Sequence, residues 1–149
     1  MPTSTVIIGS DHAGFAFKNA VSHSLREAGF TLVEFGARSQ ESCDYPLVAG
    51  DVCRQVLATG ATGILICGTG LGMSMAANRF PGIRAALCTN EYLARMTRAH
   101  NDANVLCLGS RVLGEALAES IIYVFLNTAF EGERHQRRID QLETLNANS

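Results

Sequence analysis

The sequence has few means of leaving water and none of bridging its cysteines in close pairs. Across 149 residues the formal charge is −2, from 12 basic and 14 acidic side chains. So small an imbalance offers no global electrostatic basis for binding nucleic acid or a membrane surface. No apolar run is long enough to span a bilayer, and no basic-then-apolar signal stands near Met1. The five cysteines, Cys43, Cys53, Cys67, Cys88 and Cys107, are odd in number and widely spaced. None forms a CxxC pair, so free thiols in a reducing, cytoplasmic compartment are expected. The four histidines form no HxxxH or Cys/His cluster with zinc spacing, and no structural metal is expected. There is no internal repeat and no low-complexity segment. Only Asn146–Ser149 reads as a frayed tail.

What is present is a globular composition, 47% hydrophobic and 17% charged, with length for one domain and a core of its own. The chain is organised around Gly63–Asn78, GILICGTGLGMSMAAN. Ile64–Leu65–Ile66 reads as a buried strand ending on Cys67. Gly68, Gly70 and Gly72 make a turn, and Met73–Asn78 reads as a helix. Such a strand–turn–helix gathers backbone N–H groups at a helix N-terminus, where negative charge is favoured. A thiol, Cys67, and a hydroxyl, Thr69, flank these amides. That combination points to chemistry that builds up an oxyanion.

Around this centre, strands are predicted at Thr5–Gly9, Thr31–Phe35, Arg84–Cys88 and Asn104–Leu108. A first helix carries Phe17, Val21 and Leu25 and stops at Gly29. A second, opened by Asp44–Tyr45–Pro46, carries Val48, Val52 and Val56 to Gly60. A third, with Thr89 as its cap, runs from Glu91 to about His100. Leu113–Asn127 and Glu133–Leu145 complete the set. Strands alternating with helices predict a single-domain α/β protein: a three-layer αβα sandwich, Rossmann-like, on a five-stranded parallel sheet. Ligands in such sheets bind beyond the carboxyl ends of the strands, where the strand order reverses. Placing the reversal between the first and third strands sets Asp11–His12 beside Cys67–Gly72. Periodicity leaves the order of the last two strands open.

Each candidate has a structural alternative. Most free cysteines are small buried hydrophobes, the reading taken for Cys53, Cys88, Cys107 and Cys43. A dinucleotide loop would need GxGxxG where this chain has GxGxG, on the first strand rather than the third. Asp11 can cap a helix. His100, ending a helix, can simply meet its dipole. Arg134 and Arg138, four apart on a helix, point one way. They form either a solvated charged face or a pair of guanidiniums for a phosphate monoester. Tyr45 can be core.

Five motifs in order then carry a resemblance: SDHAGFAFK at 10–18, DYP at 44–46, ILICGTGLGMSMAANRFPGIRAAL at 64–87, HNDANVLCLGSR at 100–111 and EGERHQRRI at 131–139. The chain resembles the ribose-5-phosphate isomerase B family, which also holds allose-6-phosphate and galactose-6-phosphate isomerases. The resemblance implies a metal-independent enzyme without cofactor, a homodimer or tetramer whose sites are shared between subunits. The helix 133–145 is then expected at a subunit interface. The partner is a phosphorylated sugar, with no nucleic acid and no membrane.

Carried onto this sequence, the resemblance makes Cys67 the base that moves a proton between adjacent sugar carbons. A thiolate at a helix N-terminus suits that task. One branch of the family uses a glutamate just after the glycine turn; here Met73 stands there and cannot accept a proton. Gly68, Thr69, Gly70, Leu71 and Gly72 would hold the enediolate, with Thr69 relaying a proton between its oxygens. His100 and Asp11 open the sugar ring, Asn101 and Tyr45 contact the sugar, and His12, Arg111, Arg134 and Arg138 grip the phosphate. Arg137 is expected to be structural, His23 an exposed helix residue, and His135 receives no role. The expected reaction interconverts ribose 5-phosphate and ribulose 5-phosphate. Rival readings are a six-carbon substrate such as allose 6-phosphate, where one methylene shifts affinity by only ~1–3 kcal/mol, and a non-catalytic phosphate-binding module.

Overall fold

The structure, a computed structural model, describes residues 4–148. Five parallel strands run β1 (Thr5–Ser10), β2 (Thr31–Gly36), β3 (Thr62–Cys67), β4 (Ala85–Leu87) and β5 (Val105–Gly109). They lie in the order β2-β1-β3-β5-β4. The helices are α1 (Phe15–Glu27), α2 (Tyr45–Thr59), α3 (Leu71–Ala77), α4 (Glu91–Asn101), α5 (Glu115–Asn127) and α6 (Arg134–Glu143). A short 3-10 turn, Leu145–Asn148, follows where a frayed tail was expected; Ser149 lies outside the described residues. The chain is the expected three-layer α/β sandwich, and the order reverses between β1 and β3. The order left open resolves with β5 beside β3 and the three-residue β4 at the edge. A short edge strand offers few free backbone groups for unwanted pairing.

Strand residues divide with period two between the sheet's faces. Val6, Ile8, Ile64, Ile66, Leu106 and Leu108 face a core shared with α1, α4 and α5. Ile7, Leu65, Cys67, Val105 and Cys107 face α2 and α3. The stripes expected on α1 and α2 are buried. Gly9 and Gly63 let α2 lie close on the second face: a Cβ at either would meet Val52 or Val56 at 2.8 Å.

Several boundaries differ from expectation for local reasons. Asn90, not Thr89, caps α4, its side chain accepting from the Leu93 N–H at 2.9 Å. Asp44 stands at the cap of α2, but its carboxylate makes no capping hydrogen bond. Gly114 delays α5 to Glu115. Glu133 takes φ of 55°, which no helix admits, so α6 begins at Arg134. Conversely, α3 begins early, at Leu71, because Gly70 turns the chain at φ of 82°.

One cluster ties α1 to β2. Lys18, the chain's single lysine, is buried with its Nζ 3.4 Å from Glu34 Oε1. Ser22 Oγ donates to the same oxygen at 3.0 Å and Arg26 to Oε2 at 2.6 Å.

Candidate active site

Three loops meet at the carboxyl edge of β1, β3 and β5. Asp11 donates its N–H to the Ile66 carbonyl at 3.2 Å. Ser110 N–H binds the Cys67 carbonyl and Arg111 N–H the Gly68 carbonyl, both at 2.9 Å. Ser110 Oγ also donates to the Ala13 carbonyl at 2.9 Å, tying the loop after β5 to the loop after β1. Two glycines make this closeness possible. A Cβ on Gly109 would sit 2.6 Å from the Thr69 backbone, and one on Gly14 2.7 Å from Ile66.

Cys67 ends β3 pointing toward the α2–α3 side, only 5% exposed. Its sulfur is not lost among aliphatic neighbours: the Gly70 N–H donates to Sγ at 3.1 Å. Cys53, Cys88 and Cys107 are buried as expected. Burial pushes the Cys53 and Cys88 thiols up to about 11. It raises Cys107 well above the ordinary thiol value, helped by the neighbouring cysteines.

The amides divide their work. Gly70 N–H serves the sulfur, and Leu71 N–H donates to Thr69 Oγ1 at 3.2 Å. Gly72 and Met73 lie in the first turn of α3, where N–H groups have no intrahelical acceptor. Gly72 must be glycine because the Tyr45 ring lies across it, 2.8 Å from where a Cβ would stand. Tyr45 is thereby placed beside the loop, and Met73 is fully buried. The Arg111 guanidinium lies over Gly68, 3.3 Å from that glycine's would-be Cβ. Asp11 is buried, with Oδ1 accepting from Gly14 N–H at 3.1 Å. It therefore braces its own loop and leaves Oδ2 for a ligand. His12 Nδ1 accepts from Cys43 N–H at 3.1 Å, so the neutral ring carries its proton on Nε2, as a donor.

The remaining candidates lie elsewhere. Arg84, just before β4, donates to the Asn101 carbonyl at 2.8 Å. Asn101 and His100 thus sit near the start of β4 and β5. Between Gly63↔Val105 and Cys67↔Gly109 the strands advance four steps, roughly 13 Å at about 3.3 Å per residue. Within one chain, His100, Asn101, Arg134 and Arg138 belong to the opposite end of the sheet from Cys67. Arg134, Arg137 and Arg138 are exposed and have no carboxylate partner among the described residues. His23 is exposed and pairs with Glu27 at 3.2 Å.

Sequence reasoning missed what holds the end of α4. Arg98 binds Asp102 Oδ1 and the Ala103 carbonyl, at 2.9 and 2.6 Å. Arg84 joins Asp102 and Glu143. It also missed His135, which stacks on His100. The available signal was its four-residue spacing from Ile139 on the buried side of α6. Among the described residues, His100, Glu131 and His135 form the single trio of metal-ligating groups within 4.8 Å of one another. The rings are near parallel, so their in-plane lone pairs run side by side rather than converging on an ion. A concavity of about 790 Å³ lies beside Lys18, Ala37 and Cys43, and its lining does not include Cys67, Thr69 or Arg111.

Residues 6–142 match the family model described as Ribose/Galactose Isomerase. The chain belongs to that family. It is 43% identical over 141 residues to ribose-5-phosphate isomerase B of Escherichia coli K12, covering 94% of this chain and 95% of the relative. Among solved structures it is similar to Clostridium thermocellum ribose-5-phosphate isomerase B, with TM-score 0.94 and 45% identity over 97% of this chain and 98% of that one. The Trypanosoma brucei type B ribose 5-phosphate isomerase superposes with TM-score 0.91 at 48% identity, covering 96% and 99%. The parallel sheet and its helical layers are thus those of a ribose/galactose isomerase family member.

Proposed function

We infer that the chain is an aldose–ketose isomerase interconverting D-ribose 5-phosphate and D-ribulose 5-phosphate through an enediolate, with Cys67 as the base. The named activity of its relatives supports the substrate. The observation that carries the mechanism is the Cys67 sulfur held by the Gly70 N–H where β3 meets its glycine turn.

Ribose 5-phosphate is mostly a closed ring, so the ring must open first. His100 of a second copy of the chain donates a proton to the ring oxygen while Asp11 takes the hydroxyl proton from C1. Cys67 thiolate then removes the proton from C2, and the electrons move onto the carbonyl oxygen at C1. The loop amides stabilise that oxyanion, an interaction stronger in the enediolate than in the bound sugar. Thr69, exposed at the lip of the loop, relays a proton between the two oxygens. The proton on sulfur returns to C1, giving the ketose. The phosphate is gripped by His12 Nε2–H and Arg111 from one copy, and by Arg134 and Arg138 from the other.

That division follows from the parallel sheet, whose crossovers set His100 and the α6 arginines at the strands' opposite end. A dimer, alone or paired into a tetramer, with α6 at the interface brings the halves together. The single domain, the absence of a required metal or cofactor, and a cytoplasmic location belong to the same reading. No helix among the described residues is long and apolar enough to cross a membrane.

The test is turnover of purified protein on ribose 5-phosphate, with and without chelator, with allose 6-phosphate as competitor. Cys67→Ala should bind substrate by calorimetry yet lose about 10²–10⁴-fold in kcat, the range of a positioned general base. Near-normal turnover by that variant would remove the assignment.

A further inference from the structure

His100 does not stand alone at the end of α4. The His135 ring lies face to face with it, centroids 4.2 Å apart and planes 12° from parallel. Glu131 Oε1 sits 3.8 Å from His100 Nε2 and 3.6 Å from His135 Nε2. His135 is only 5% exposed, and its buried Nε2 has no hydrogen-bond partner. A buried imidazole nitrogen left so is costly unless the group serves something else.

The backbone is bent to make this arrangement. Glu131 N–H donates to the Ala99 carbonyl at 3.0 Å, fixing that loop to the turn that carries His100. Two residues on, Glu133 is held at φ of 55°, a conformation a residue with a side chain adopts only at a cost. The turn delivers Glu131 and His135 to His100 from one short segment.

We propose that His135 is the positioning residue of His100, its flat face fixing the ring that donates the proton in sugar-ring opening, with the Glu131 carboxylate facing the Nε2 edge of both rings. Burial, then His100 and Arg134, hold His135 below the ordinary histidine value, against the pull of Glu131. The groups facing the pair are Glu131 from the loop and Arg134 and Arg138 from α6.

This inference rests on the proposed role of His100, and the substrate's chemistry separates the two. Ribulose 5-phosphate cannot close a five-membered ring, because its C5 oxygen carries the phosphate, so the ketose needs no ring opening. The aldose released in that direction closes in water unaided. Values of kcat at saturating substrate would be compared in both directions for the wild type, His100→Ala, His135→Leu and His135→Phe. Leucine fills the space without a flat face; phenylalanine keeps the face.

His135→Leu should lose about tenfold in the aldose-to-ketose rate, as expected when a reacting group is mispositioned, and about twofold or less in reverse. His135→Phe should recover most of the forward loss. Forward and reverse rates falling together in His135→Leu would overturn the proposal, as would an unchanged forward rate. Equal forward losses in His135→Leu and His135→Phe would overturn the stacking role. If wild type turns over neither sugar, the functional reading fails. If His100→Ala shows the directional loss and His135→Leu does not, only the present inference fails.

Discussion

At the scale of single residues, what separates Cys67 from the other buried thiols is one hydrogen bond. All four of Cys53, Cys67, Cys88 and Cys107 are buried in the core. Only Cys67 ends a strand where the next residues turn an N–H back onto its sulfur. The other three are kept protonated by burial, two of them up to about 11. A thiol raised in this way stays protonated, and inert to alkylation, at any pH well below that value. Iodoacetamide at pH 8 followed by peptide mapping should therefore label Cys67 or the half-buried Cys43, with substrate protecting Cys67. Labelling of Cys53, Cys88 or Cys107 first in folded protein would contradict this ordering.

At the scale of elements, the glycine turn is demanding at one position above all. Gly70 has φ of 82°, and a Cβ there would lie 2.5 Å from Leu87 Cδ1. Gly70→Ala should lower stability by at least about 1–2 kcal/mol from the backbone conformation alone. It should also lower kcat more than it raises KM, because the amide leaves the sulfur; a melt and a kinetic series check both. The seam between α1 and β2 makes a second prediction. Burial alone would raise the Glu34 carboxyl, but hydrogen bonds from Arg26 and Ser22 and the charge of Lys18 outweigh it and hold the group below 4.5. A depressed carboxyl contributes stability above its unfolded value and loses it as pH falls through the lower folded value. Glu34→Gln should thus destabilise by about 1–3 kcal/mol at pH 7, through the buried Lys18 it leaves unpaired. The gap from wild type should narrow below pH 4.5 in urea titrations across pH.

At the scale of the whole molecule, the sheet holds half of the proposed site at each end. A chain lacking Cys67 and a chain lacking His100 would each be inactive as homodimers. Co-expressed, half of the dimers would be mixed, each with one intact site, so about a quarter of wild-type activity should return. No recovery in mixed dimers verified by mass spectrometry would mean that each site is built from one chain.

Sequence by itself determined the layers and the chemistry-bearing stretch. Apolar strand runs, helical stripes at Phe17, Val21 and Leu25 and at Val48, Val52 and Val56, and the glycines after Cys67 are local patterns. Local patterns are set by residues a few positions apart. The β1/β3 switch point was the expected place for the reversal in an alternating α/β chain, and the strand order bears it out. Only the tertiary structure decided that β5 enters between β3 and β4, since both orders bury the same apolar faces. It alone set Ser110 across two loops, gave the Gly70 amide to the sulfur, and laid His135 on His100. Those contacts join residues distant along the chain and depend on where backbones finally meet, a distance that no periodicity encodes.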